Sequence, residues 1–146
     1  MRPAVPEPYD KEKRSMIERI VAGDAIIAII IRAGFHKEGI EFFTPDNFSQ
    51  QLAYMNRPAG YSITPHIHNK VERSVFYTQE VLFIRKGRVK ITFYDDGRKL
   101  IATKILESGD VILLASGGHG FEMLEPTEMI EVKQGPFAGE DDKTRF

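Results

Sequence analysis

An antiparallel β-barrel or jelly roll carrying one short N-terminal helix is the fold the sequence predicts, and three observations predict it. Short runs of β-branched and aromatic residues recur along the chain, with Gly-, Pro- and Asp-containing turns between them at regular intervals. The clearest pattern runs from Val81 to Leu106 and alternates apolar and polar positions on either side of Asp95-Asp96-Gly97, a hairpin turn. Only one stretch, near the start, has helical spacing.

Each element follows from its residues. Residues 1–24 are expected to form an extended, Pro-punctuated arm and a helix packed on the barrel. Asp10 caps that helix, Met16, Ile17, Ile20 and Val21 form its apolar stripe, and Gly23 ends it. The barrel spans 25–137. It opens with Ala25 to Ile31, an Ile-rich run short enough to be a strand buried on both faces, against the core and against the rest of the chain or a second subunit. A strand at Gly39–Phe43 follows, then a strand, a bend at Pro58-Ala59-Gly60 and a further strand reaching His68. Gly87 turns the chain between two strands, and Ser108-Gly109-Asp110 leads into Val111–Ala115. In the last strand Ile130 and Val132 face one way and Met129, Glu131 and Lys133 the other, the polar pair on a solvated outer face in preference to the alternative, substrate contact inside the barrel. Residues 138–146 form a polar surface tail.

Composition removes several functions from consideration. One ordinary domain accommodates 146 residues. Twenty basic and 21 acidic residues nearly cancel, which gives no electrostatic case for nucleic acid or an anionic membrane. No cysteine is present, so disulfides and thiolate ligands are excluded and any metal is held by nitrogen and oxygen. Met1 to Arg14 is charged and Pro-broken rather than apolar, unlike a signal peptide, and the run at 25–31 is too short to span a bilayer. The expectation is a soluble, cytoplasmic protein. No phosphate-cradling glycine loop is present, Gly117-Gly118 alone being too short a signal.

The chemistry concentrates between Gly60 and Gly87, with a contribution from further on. His66 and His68 stand two apart, so on an extended strand both imidazoles project from one face, oriented for a chelate. Glu80 opens the next apolar run and supplies a carboxylate, above an apolar floor of Leu82 and Ile84. His119, after Ser116-Gly117-Gly118, is the fourth candidate, and if it points inward Phe121 and Met123 do too. His36, between charged residues in a loop-like stretch, is expected to be an ordinary surface residue.

These two stretches resemble the two motifs of the cupin superfamily of small β-barrels. Gly60, five residues, His66-Ile67-His68, and then Glu80, six residues, Gly87 match the first; Gly109-Asp110, an apolar run, a Gly-rich turn and His119 match the second. The resemblance covers a little under half of the chain. It departs from the pattern in two places. Eleven residues separate His68 from Glu80, a longer spacer than the family's, and Glu72 stands at the usual short spacing instead. Glu80 is favoured because its distance to Gly87 fixes its place on a strand, with Glu72 in an enlarged loop at the barrel mouth. Ala115 also stands where the family has proline, and the turn before His119 is one residue short.

The resemblance implies one divalent metal ion per chain (zinc, iron, manganese or nickel) on His66, His68, Glu80 and His119, and a homodimer. Such a site leaves positions for a small-molecule substrate. As a Lewis acid the metal would serve isomerase or epimerase chemistry on a small polar metabolite, sugar-like or a keto or hydroxy acid. Glu72, Tyr77 and Lys133 are then candidates for proton transfer or substrate contact. The rivals are an iron-dependent dioxygenase, a non-catalytic small-molecule-binding accessory protein of a carbohydrate pathway, and a metal-free site with histidine acid–base groups. Fold alone does not choose among them.

Overall fold

The computed structural model describes residues 16–146, which form an all-β protein of antiparallel strands. The strands are β1 (Ile17–Ala22), β2 (Ala25–Ile31), β3 (Gly39–Phe42), β4 (Ala53–Asn56) and β5 (Glu80–Lys86). They continue as β6 (Arg88–Tyr94), β7 (Leu100–Glu107), β8 (Val111–Leu114), β9 (Gly118–Met123) and β10 (Glu128–Lys133), followed by one 3-10 turn at Gly139–Asp142. Five strands in the order β1-β2-β8-β5-β10 make the large sheet and three in the order β7-β6-β9 make the small one, while β3 and β4 pair as a ribbon. The two sheets face each other without joining into a closed barrel, and β9 and β10 end them on one side.

Register explains the core. Antiparallel pairing sets Leu82 opposite Ile112 and Ile30 opposite Ile112, so alternate residues of β2, β8 and β5 project from one face of the large sheet. They meet Val89, Ile91 and Phe93 of β6 and Leu106 of β7, all fully buried. Gly87, at φ +94°, carries the chain from the large sheet into the small one, where a Cβ would collide with the backbone of Pro126 and Thr127. The other face of β2 and β8, with Ile29, Ile31 and Leu113, is covered by Phe43 and by Phe35, Phe48, Leu52 and Tyr54 around the ribbon. Within the chain, two-sided burial is achieved for Ile27 to Ile31 of the run, in a three-layered packing.

One end of the large sheet is locked by charge. Asp110, 5 % exposed, accepts hydrogen bonds from the Ala33 and Glu107 amides at 2.8 Å each and from Arg32 at 3.1 Å. Arg32 also donates to Glu18 and to the Ile105 carbonyl, and Lys104 to Glu18.

Two sequence expectations are corrected. The helix expected from Asp10 to Ala22 is not formed over its described part: residues 17–22 are β1, paired with β2. Ile17 and Ile20 fit a helical stripe because β1 packs on both faces, Ile17 in the cluster of Ile29 and Leu113 and Ile20 in the core between the sheets, while Val21 is half exposed. Residues 10–15 of that expected helix lie outside the described residues. The second correction concerns the strand expected up to His68. The bend forms, with the Tyr61 amide donating to the Pro58 carbonyl, but residues 57–79 contain no strand. Among the described residues no helix is long and apolar enough to cross a membrane.

Candidate functional site

Period-2 geometry delivers a polar cluster to the end of the sandwich opposite the Arg32–Asp110 lock. Glu80 is the first residue of β5, paired with Leu114 of β8 and Lys133 of β10, so it shares the inner face with Leu82 and Ile84. Glu131 and Lys133 of β10 project from that same face, two residues apart. From the small sheet, His119 of β9 stands opposite Phe93, and Phe121 opposite Ile91; both follow the buried side of β6 inward. Two sheets thus supply one rim.

The contacts are short. His119 Nε2 lies 3.8 Å from Glu80 Oε2, and Lys133 Nζ lies 3.6 Å from Glu80 Oε1 and 3.5 Å from Glu131 Oε1. The His119 ring sits edge-on to Phe121 at 5.3 Å. Burial pushes the Glu80 carboxyl above its ordinary value, the Glu131 carboxyl beside it adds to the push, and Lys133 opposes it. Burial also holds His119 below its ordinary value; the Glu131 charge opposes this, while Lys143 and Lys133 reinforce it. The Glu80 charge, above all, raises Lys133. An acid that keeps its proton longer than usual thus lies beside an imidazole that gives its proton up sooner.

The C-terminal tail belongs to this rim. Thr78 donates to Asp142, and Phe146 packs edge-on against Tyr94 at 5.1 Å and over Gly118. Glu131 and the tail are what sequence reasoning placed elsewhere. The β10 alternation was legible, but its polar face is the inner one, and Ile130 and Val132 are the half-exposed residues.

His66 and His68 are not at this rim. Their rings lie 5.3 Å apart, edge to face, on an exposed stretch in which His66 contacts only the Thr64 carbonyl nearby. Glu72 and Tyr77 are exposed on the same stretch. Only Glu80, His119 and Lys133 of the sequence candidates are brought together, and among the described residues no three His, Asp or Glu side chains converge as a metal-holding group. Glu80 and His119 by themselves fit as two donors. An imidazole nitrogen and a carboxylate oxygen 3.8 Å apart are donor types that a divalent cation takes, so these two residues would hold one from this chain's side. Two surface clefts lie elsewhere, at the β1–β2 and β6–β7 turns and around Arg32.

No protein-family model matches the chain, and no curated protein and no solved structure matches it with significance.

Proposed function

We propose that the rim is the working site of a metal-binding protein of the cupin type, whose two facing sheets are the body of a jelly roll. It acts as an enzyme on a small polar metabolite, sugar-like or a keto or hydroxy acid, in isomerase- or epimerase-type chemistry. The observation that carries this reading is the convergence of Glu80 and His119, half-buried groups from separate sheets, at the open end of the core. When bound, a divalent metal would supply Lewis acidity that polarises a substrate carbonyl.

The chain's own groups have distinct tasks. Glu80 and His119 would hold the cation. Lys133 steadies the carboxylate and presents its ammonium to an anionic or carbonyl oxygen of the substrate, and Glu131 orients Lys133. Phe121 and Met123, on the inner face and only partly covered, exclude water from one side.

The Lys133–Glu80 contact favours a second reading, in which the same groups move protons without a metal. Metal content of tag-free protein decides between them, measured for wild type, Glu80→Gln, His119→Ala and Lys133→Met. In the metal reading the first two variants lose the ion. Lys133→Met instead binds it roughly three- to tenfold more tightly, because a competing cation beside the carboxylate is gone. Wild type that takes up no divalent ion on reconstitution, yet turns over substrate, rejects the metal reading in favour of the second.

A further inference from the structure

The segment that follows β10 lies across the rim, and the core has no need of it. The chain turns at Gly139, which has φ +69° and open space around it, into the 3-10 turn Gly139–Asp142, which buries no residue. Beyond the turn it is fastened at two points. Asp142 accepts a hydrogen bond from the Thr78 hydroxyl, two residues before Glu80. Phe146 lies over Gly118, the residue before His119, edge-on to Tyr94 at 5.1 Å and with the Arg98 guanidinium 5.2 Å from its ring centre. One fastening thus stands beside Glu80 on the large sheet and the other beside His119 on the small sheet, and residues 143–145 cross between them. Gly118 is fitted to this contact, because a Cβ there would stand 2.9 Å from the Phe146 ring. Yet every residue from Glu140 to Phe146 is exposed. One hydrogen bond and one aromatic contact do little more than offset the ordering of such a segment, so it opens at small cost.

We propose that residues 139–146 are a strap that closes over the rim, and that Lys143 on it binds the carboxylate of the ligand, so that the site takes a keto or hydroxy acid in preference to a neutral sugar. The inference rests on the small-molecule reading of the rim and narrows it. Of the strap's two cations, Arg145 is paired with Glu140 at 2.8 Å, whereas Lys143 meets no carboxylate among the described residues. Lys143 follows Asp142 directly, which sets it at the start of the crossing. Its charge also reaches His119: burial holds that ring below its ordinary value, and Lys143 and Lys133 reinforce the effect against Glu131. Lys133 is itself engaged by Glu80 and Glu131, so among the described residues Lys143 is the rim cation left for a ligand's charge. A carboxylate at the mouth pairs with it and draws the strap down, and the closed strap keeps water from the ligand. A neutral polyol offers Lys143 no such partner.

Two measurements test this. The chain has no tryptophan, so Phe146→Trp places a single reporter on the Gly118 contact. Its fluorescence should be several-fold less quenched by acrylamide than that of free N-acetyltryptophanamide, and adding Asp142→Ala should raise the quenching. Quenching as strong as that of the free indole, unchanged by Asp142→Ala, overturns the strap. The second measurement follows the Glu80 and His119 amides by NMR while the protein is titrated with lactate or with propane-1,2-diol, its uncharged counterpart of the same skeleton. Lactate should bind roughly three- to tenfold more tightly than the diol. Lys143→Gln should abolish the preference and Lys143→Arg should keep it. Equal affinities in wild type, or a preference that survives Lys143→Gln, overturn the carboxylate assignment and leave the small-molecule reading standing. Wild type in which neither compound moves these amides rejects that reading and the Lys143 assignment with it, while the tryptophan still decides whether the strap is closed.

Discussion

Replacing Asp110 by asparagine should cost about 3 kcal/mol of folding stability, although the shape of the side chain hardly changes. Its two oxygens are committed to different donors: Oδ1 takes the Ala33 amide, and Oδ2 takes the Glu107 amide and Arg32 Nη1. An amide side chain keeps one acceptor and turns an N–H₂ toward a donor on the other side. A buried backbone N–H left unpartnered costs roughly 1–3 kcal/mol, and the lost charge on the Arg32 bond removes about 1 kcal/mol more. Asp110→Ala, which strips all three, should cost roughly 4 kcal/mol, within the range for breaking a buried pair from one side. For a chain of this length 3 kcal/mol corresponds to about 10 °C in Tm. Urea unfolding at matched protein concentration is the assay, with an unchanged m-value as the check that both states are comparable. The control is Arg88→Ala, which breaks an ion pair to Glu107 in which both partners are well exposed and should cost under about 1 kcal/mol. Asp110→Asn within about 0.5 kcal/mol of wild type would refute the reasoning, because the three bonds would then contribute no more than solvent does.

Two further outcomes follow from the same scaffold. Burial pushes the Glu18 carboxyl up, but hydrogen bonds and charge from Lys104 and Arg32 outweigh it and leave it below its ordinary value. A depressed folded value means stability that is complete above the unfolded carboxylate value, about 4, and is lost as pH falls through the lower folded value; Glu18→Gln should therefore show a shallower loss of Tm on acidification than wild type, and equal slopes would dismiss the contribution. Gly117→Ala should cost about 2–3 kcal/mol, since Gly117 sits at φ +68° and a Cβ would run into the Tyr94 carbonyl, whereas Gly120→Ala, with open space around it, should be nearly neutral in the same thermal melt.

The contrast between what the sequence made legible and what it hid is physical. Period-2 alternation alone places Glu80 over Leu82 and Ile84, and His119 in line with Phe121, and both placements hold in the two sheets. The N-terminal strand was hidden because its apolar residues serve both faces, Ile17 on one and Ile20 on the other, and by Glu18, a charge on a half-buried face that a helix would have carried outward. The inner position of Glu131 and Lys133 is only half legible: alternation puts them on one face, but polarity favours the solvated one, whereas here two charges and the Glu80 carboxyl satisfy one another beside a core. The strand expected up to His68 has a strand's residues but no paired neighbour among the described residues, and strand pairing is a property of two segments that composition in one cannot reveal.

The two ionic clusters at the ends of the large sheet differ in kind, and the difference bears on function. Around Asp110 every charge has its counter-charge or an amide, Glu18 is driven toward ionisation, and Arg32 is held more firmly protonated. That cluster fastens β1, β2, β7 and β8, and its removal should be felt as lost stability. At the other end Glu80 is driven toward its neutral form by burial and by Glu131, and His119 toward its neutral form by burial. Groups held this way hinder folding more than they help it, because each raises the cost of its own charged state. Filling the same positions with apolar residues would extend the Leu82–Ile84 floor and the Phe121–Met123 wall without that cost. A fold under selection for stability alone has no use for the arrangement, whereas a cation arriving at the rim would favour the charged form of Glu80 that burial and Glu131 oppose, and would meet a His119 ring whose neutral form has a nitrogen free to donate.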